Sequence, residues 1–115
     1  MKIPLFKPPL GQDELDALKS TFDSGWVGLG PNTYNFENEF KNYIGCEYAL
    51  GVNSATAALQ LCMEYYNVEG KEVISPSMTF VSTNHAILYN KGIPVFADID
   101  PETLCLDPED VLNKI

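Results

Sequence analysis

The stretch VNSATAALQLCMEYY, residues 52–66, decides the fold because it joins the end of a predicted strand to the start of a predicted helix. The residues at the junction are all small, and no bulky side chain follows until Leu59. A helix N-terminus has unpaired backbone N–H groups and a partial positive charge, so small residues there leave room for an anion. The same residues also suit an ordinary serine N-cap followed by closely packed alanines, and the turn alone leaves both interpretations open.

Downstream of this turn, short apolar runs alternate with helical patterns. The runs YALGV, EVIS and PVFADI are separated by helices predicted at residues 55–66 and about 80–90. Strands that alternate with helices of this length are typical of right-handed βαβ units around a parallel sheet. Asp107 and Pro108 then predict the start of a last helix. The predicted fold class is α/β, with three layers: a mostly parallel sheet and helices on its faces.

The N-terminal part of the chain is predicted to be helical. Leu15, Leu18 and Phe22 share one helical face, and a second stripe follows the loop GWVGLGP at residues 25–31. Glycines end both stripes, as is common at helix C-termini. We therefore divide the chain into a helical segment, 1–45, and a βαβαβ segment, 46–115.

Composition excludes several classes of partner and site. The net charge of −9 makes nucleic acid or an acidic membrane an unfavourable partner. Neither a secretory leader nor a membrane span is recognisable, so a cytoplasmic location is expected. Cys46, Cys62 and Cys105 are widely spaced, and His85 is the sole imidazole, so the sequence favours neither disulfides nor zinc. Buried cysteines are expected.

A second strand-to-helix turn, SPSMTF at residues 75–80, should lie at the same sheet edge as the first. Phe80 alone is more typical of a core position. Together with a phosphate cradle at the turn NSAT, residues 53–56, however, its ring suits a flat phosphorylated ligand.

Five motifs, taken in order, carry a family resemblance. They are SGWVGLGP (24–31), FENEFKNYIG (36–45), ALGVNSATAAL (49–59), VISPSMTFVSTNHAI (73–87) and PVFADIDPETL (94–104). This series resembles the N-terminal portion of the DegT/DnrJ/StrS-type sugar aminotransferases, pyridoxal 5'-phosphate (PLP) enzymes of fold type I, the aspartate-aminotransferase fold. The resemblance implies that residues 1–115 are an incomplete PLP-binding large domain of an enzyme that is a homodimer at full length.

The resemblance also implies roles for individual residues. Ala55 and Thr56 match positions that hold the PLP phosphate, and Ser54 lines the same turn. Phe80 matches the aromatic residue that stacks on the pyridine ring. Trp26 and Gly28 match a loop at the substrate end of the site. The implied substrates are a keto-sugar nucleotide and an amino donor, expected to be glutamate.

Transamination also needs a lysine that forms a Schiff base with PLP and an acid beside the pyridine nitrogen. The family places both residues further along the chain than Ile115, so no catalytic residue is assigned here and the chain alone is expected to be inactive. Asp98 and Asp100 are more typical of turn or cap residues. None of the lysines matches the Schiff-base position, and all lie in polar contexts typical of the surface: Lys2, Lys7, Lys19, Lys41, Lys71, Lys91 and Lys114.

Two alternatives remain open at this level. Some members of the family replace the lysine by histidine and act as sugar dehydratases, although His85 does not match that position and is more typical of a helix surface. A truncated relative that binds a phosphorylated ligand without chemistry is the other. A sheet of three short strands has uncovered edges, so exposed apolar surface and self-association are expected.

Overall fold

The computed structural model describes residues 3, 4 and 6–115 of the chain. It divides into two compact units, Met1–Gly51 and Val52–Ile115. The first unit contains two helices, and the second contains three helices and two strands within the described residues. No helix in the described ranges has the length and apolar character needed to cross a membrane.

In the first unit, α1 (Gln12–Ser24) and α2 (Pro31–Ile44) confirm the two predicted helices. Each ends at a glycine in the left-handed region, Gly25 at φ 72° and Gly45 at φ 78°. Glycine adopts this conformation without the strain that a side chain would add, so each helix ends there. The loop between the two helices carries Trp26 and Gly28.

In the second unit the order is α3 (Ala55–Tyr65), β1 (Glu72–Pro76), α4 (Ser82–Tyr89), β2 (Ile93–Ala97) and α5 (Pro108–Lys114). The two strands are parallel, with Glu72 opposite Ile93 and Pro76 opposite Ala97. Helix α4 connects them, and it packs on both strands and on α3. The α/β fold class, with a parallel sheet and flanking helices, is therefore confirmed.

The predicted strand at residues 48–52 is not a strand in the structure. An apolar run supplies a face for burial, but a strand also needs a neighbour for its backbone hydrogen bonds. Strands β1 and β2 pair with each other, and no described residues pair with 48–52. The predicted βαβαβ order is thus wrong in its first element, and the order within Val52–Ile115 is αβαβα.

The buried core of the second unit is small and lies around α4. Its apolar members are Val68, Ala86, Ile87 and Ala97. Many large apolar side chains in both units are exposed, which confirms the expected apolar surface. Self-association remains a prediction.

The prediction of buried cysteines is wrong, because all three are exposed. Cys46 directly follows the glycine that ends α2, and Cys105 lies in a short connection before α5. Cys62 lies on α3, which has no fully buried residue. Cysteine's preference for the interior has no effect at positions that the fold leaves uncovered.

Candidate functional site

The first turn of α3 is built around Ser54. This residue is the extended N-cap, and its Oγ accepts the backbone N–H of Ala57 at 3.1 Å. Its own hydroxyl donates to Oδ1 of Asn53 at 3.3 Å. The N-cap interpretation of Ser54 is therefore confirmed, and its hydroxyl hydrogen already has a partner.

The cap leaves the two preceding helical amides unused. The N–H groups of Ala55 and Thr56 have no protein acceptor among the described residues. The Thr56 hydroxyl also has no hydrogen-bond partner among them. Ala55 is exposed and Thr56 is half-buried, so a ligand can reach both. Backbone amides at a helix N-terminus plus a hydroxyl form a donor set that fits a phosphate dianion.

Phe80 lies in the connection between β1 and α4, two residues before the helix begins. Phe80 is 78% exposed, so its side chain is not part of the core. Its backbone carbonyl accepts the N–H of Thr83 at 3.0 Å. The hydroxyls of Thr79 and Thr83 are also hydrogen-bonded, at 3.1 Å. These bonds fix the backbone of the turn and leave the aromatic face available to a ligand.

The base of this turn contains a polar cluster that the sequence does not predict. The Ser75 hydroxyl donates to Oδ1 of Asn84 at 2.5 Å, and Nδ2 of Asn84 donates to the Pro76 carbonyl at 3.3 Å. Both residues occur in the motif VISPSMTFVSTNHAI. In the sequence, only a serine at the end of a predicted strand and an asparagine in the next predicted helix could have indicated this cluster.

The loop of the first unit is held closed by its tryptophan. The Trp26 Nε1–H donates to the Leu29 carbonyl at 2.7 Å, and the Trp26 backbone N–H donates to Ser24 Oγ at 3.1 Å. A Cβ on Gly30 would lie 1.9 Å from Trp26 Nε1, whereas one on Gly28 would meet nothing within 4 Å. Gly30 is therefore required by the loop itself, and Gly28 is not.

The two aspartates behave as turn residues, as predicted. Oδ1 of Asp100 accepts the backbone N–H groups of Glu102 at 3.0 Å and Thr103 at 2.7 Å. These bonds, those from Thr103 first, lower the pKa of Asp100 because they stabilise the carboxylate. Asp98 accepts the N–H of Ile99 at 2.8 Å.

The lysines lie mostly at the surface. The Lys91 ammonium donates to Glu69 at 2.9 Å, and this hydrogen bond and charge raise the pKa of Lys91. Lys41 is half-buried, and Lys2 lies outside the described residues. The other lysines are exposed: Lys7, Lys19, Lys71 and Lys114. His85 is half-buried on α4, with its ring centroid 5.7 Å from that of Tyr89.

The unit Val52–Ile115, in which α3 packs on α4, contains all four residues predicted to bind the cofactor: Ser54, Ala55, Thr56 and Phe80. Trp26 and Gly28 belong to the other unit. The structure thus provides an amide-rich turn and an exposed ring in one unit, and a tryptophan-closed loop in the other.

Comparison with known proteins assigns this arrangement to a family. Residues 8–115 match the model of the DegT/DnrJ/EryC1/StrS aminotransferase family. The chain is 41% identical over 107 residues to the spore coat polysaccharide biosynthesis protein SpsC of Bacillus subtilis. The aligned region covers 92% of this chain and 28% of SpsC.

Solved structures share the fold. The PLP form of Spr1654 from Streptococcus pneumoniae superimposes with a TM-score of 0.91 at 32% identity, covering 100% of this chain and 30% of that one. The aminotransferase TlmJ from Streptoalloteichus hindustanus superimposes with a TM-score of 0.88 at 38% identity. This match covers 99% of this chain and 32% of TlmJ. A PMP (pyridoxamine phosphate) form of Spr1654 is also known. The chain spans about 30% of the length of the curated relatives it matches.

Proposed function

Because the chain belongs to the DegT/DnrJ/EryC1/StrS aminotransferase family, we propose that it forms the phosphate- and ring-binding part of a PLP-dependent sugar aminotransferase. In this proposal residues 1–115 are the N-terminal portion of the PLP-binding large domain. The complete enzyme, a cytoplasmic homodimer, moves an amino group from glutamate onto a keto-sugar nucleotide. Its product would serve polysaccharide biosynthesis, the process for which SpsC is named.

The observation that carries the proposal is the pair of unused amides at the start of α3. The N–H groups of Ala55 and Thr56, with the Thr56 hydroxyl, would bind the phosphate. Ser54 supports them indirectly, because its Oγ holds the next amide, that of Ala57. The positive end of the helix dipole favours the same anion.

Phe80 would cover one face of the cofactor ring. Its high exposure supports this role, because a ring that the core does not use is free to stack on a ligand. Bound PLP supplies an electron sink that stabilises negative charge on the carbon that bears the amino group. This chain's residues hold and orient the group, and proton transfer needs a lysine in contact with the ring.

By the family resemblance, Trp26 and Gly28 would contact the substrate in the complete enzyme. Nothing in its own unit requires a glycine at position 28, which is consistent with a need for space beside a ligand. Trp26 is 58% exposed while its Nε1–H is bonded to Leu29, so a flat apolar face is held in a fixed position.

We further propose that none of the described lysines forms the Schiff base. Five of the six are exposed, and Lys19, Lys91 and Lys114 are in ion pairs, which keep an ammonium charged and unreactive. A nucleophilic lysine needs a lowered pKa, whereas the pKa of Lys91 is raised.

The test combines binding with trapping. The chain is incubated with PLP, reduced with borohydride and examined by mass spectrometry, and a second sample receives PLP, glutamate and a keto-sugar nucleotide. We expect saturable PLP binding that is weakened by Thr56→Val, with no stoichiometric lysine adduct and no 2-oxoglutarate. Lack of PLP binding would overturn the cofactor site, and turnover would overturn the proposed inactivity of the chain.

A further inference from the structure

We propose that Asn84 is a positioning residue that sets the location of the Phe80 ring over the cofactor. The inference rests on the proposed function, because it concerns the same cofactor site. Asn84 itself would not touch the cofactor. It would act by fixing the two ends of the turn that carries the ring.

The hydrogen bonds of Asn84 leave its carboxamide one orientation. Pro76 offers a carbonyl, which can only accept, so the group that faces it must be Nδ2–H. Oδ1 then faces the Ser75 hydroxyl and accepts its hydrogen at 2.5 Å. Ser75 is only 5% exposed, so this bond is shielded from competing water. Loss of one partner would leave a buried polar group unsatisfied.

These two bonds connect the last residues of β1 directly to the first turn of α4. Ser75 and Pro76 are fixed in the sheet by their pairing with Phe96 and Ala97. The connection between the strand and the helix, residues 77–81, is therefore held at both ends. The Asn84 side chain joins these two ends directly, because it lies in α4 and bonds Ser75 and Pro76 of β1.

Phe80 depends on this connection because its own side chain has no support from the core. Within the turn it is held through its backbone carbonyl, which accepts the N–H of Thr83, the residue before Asn84. The position of the ring depends on the backbone of the turn, and that backbone depends on the position of α4 relative to β1. Asn84 therefore determines where an otherwise unsupported ring lies.

Helix α4 offers a matched control at its other end. Nδ2 of Asn90 donates to the Ala86 carbonyl at 2.9 Å and to the Gln60 carbonyl of α3 at 3.3 Å. It is half-buried, like Asn84, and its side chain bonds two backbone carbonyls. It differs in being remote in sequence from the turn that carries Phe80.

The test measures binding of PMP and of inorganic phosphate to the unsubstituted chain, Asn84→Ala and Asn90→Ala. PMP has no aldehyde, so its binding does not depend on a lysine, and inorganic phosphate probes the α3 turn alone. We expect Asn84→Ala to weaken PMP binding by about three- to tenfold, the range for loss of one aromatic contact, and to leave phosphate binding unchanged. Asn90→Ala should change neither.

A second readout needs no ligand. Hydrogen exchange at the Thr83 amide, which donates to Phe80, should be faster in Asn84→Ala and also in Ser75→Ala, a smaller change that retains the asparagine. It should be unchanged in Asn90→Ala. Faster exchange confined to the first two variants supports the positioning role of Asn84 even where Asn84→Ala lowers overall stability.

The outcomes separate this inference from the function on which it rests. Equal PMP affinities of Asn84→Ala and Asn90→Ala, or a loss of phosphate binding that equals the loss of PMP binding, would overturn the positioning role alone. Failure of the unsubstituted chain to bind PMP would overturn the proposed function, and the inference with it.

Discussion

The Oγ of Ser54 lies 3.1 Å from the backbone nitrogen of Ala57 and accepts its N–H. This bond satisfies the third amide of α3 and leaves the amides of Ala55 and Thr56 without a protein acceptor in the part of the chain that the structure describes. A serine N-cap and a phosphate cradle are therefore compatible here. The cap organises the turn, and the two free amides provide the donors.

Replacement of the cap should cost stability. We expect Ser54→Ala to lower the free energy of unfolding by about 1 kcal/mol, the usual cost of losing an N-cap, because the Ala57 amide loses its acceptor. Ser54→Asn is the matched control, since asparagine caps helices equally well. Urea denaturation followed by circular dichroism measures both. Equal midpoints for Ser54→Ala and the unsubstituted chain would contradict the capping role.

Substitutions at Gly28 and Gly30 should affect the loop of the first unit differently. Gly30→Ala places a methyl group against Trp26 and should break the Nε1–Leu29 bond, with a cost of about 1–3 kcal/mol typical of overpacking. Gly28→Ala should be tolerated. Trp26 is the sole tryptophan, so its fluorescence and acrylamide quenching report on the loop. Identical spectra for the two variants would show that Gly30 is not required by the loop.

Asp100 should contribute a pH-dependent stabilisation. Its pKa is lowered in the folded chain because the carboxylate accepts the N–H groups of Thr103 and Glu102. The stabilisation is therefore complete above the unfolded pKa, about 3.9, and is lost as the pH falls through the lower folded value. The Thr103 amide proton, followed by NMR, should shift with a midpoint below that of an unstructured aspartate, and should not shift this way in Asp100→Asn. A midpoint at the ordinary value or above it would refute this effect.

The exposed apolar surface should cause self-association that increases with salt. Large side chains in both units are exposed, and the net charge of −9 makes copies repel one another when salt is low. Salt screens that repulsion without weakening apolar contacts. Sedimentation velocity over a range of chain and salt concentrations should therefore show larger species at high salt. A monodisperse monomer under all conditions would disprove the prediction.

Local features of the fold were predictable because their causes lie within a few residues. Asp107 accepts the N–H of Glu109 at 2.9 Å, and Pro108 is the first residue of α5, as the sequence indicates. The ends of α1 and α2 at glycines were equally predictable from the sequence. Caps depend on the chemistry of one residue and its immediate neighbours, so no tertiary contact is needed to recognise them.

Features that depend on distant partners were not predictable. The run at 48–52 has strand character, but its pairing depends on residues that sequence spacing does not reveal. The cysteines were expected to be buried because of their type, whereas the exposure of Cys62 depends on what covers α3. No role for Asn84 was predictable, because its contacts with Ser75 and Pro76 exist only once α4 packs on β1.

The proposed site would be tested most directly by comparing PMP and inorganic phosphate binding in Thr56→Val and Phe80→Ala. Thr56→Val keeps the shape of the side chain and removes one hydrogen bond to a charged group, worth about 1.5–3 kcal/mol, so it should weaken both ligands. Phe80→Ala should weaken PMP alone. If Phe80→Ala leaves PMP affinity unchanged, or if Thr56→Val leaves phosphate affinity unchanged, the two turns do not hold one phosphorylated ring between them.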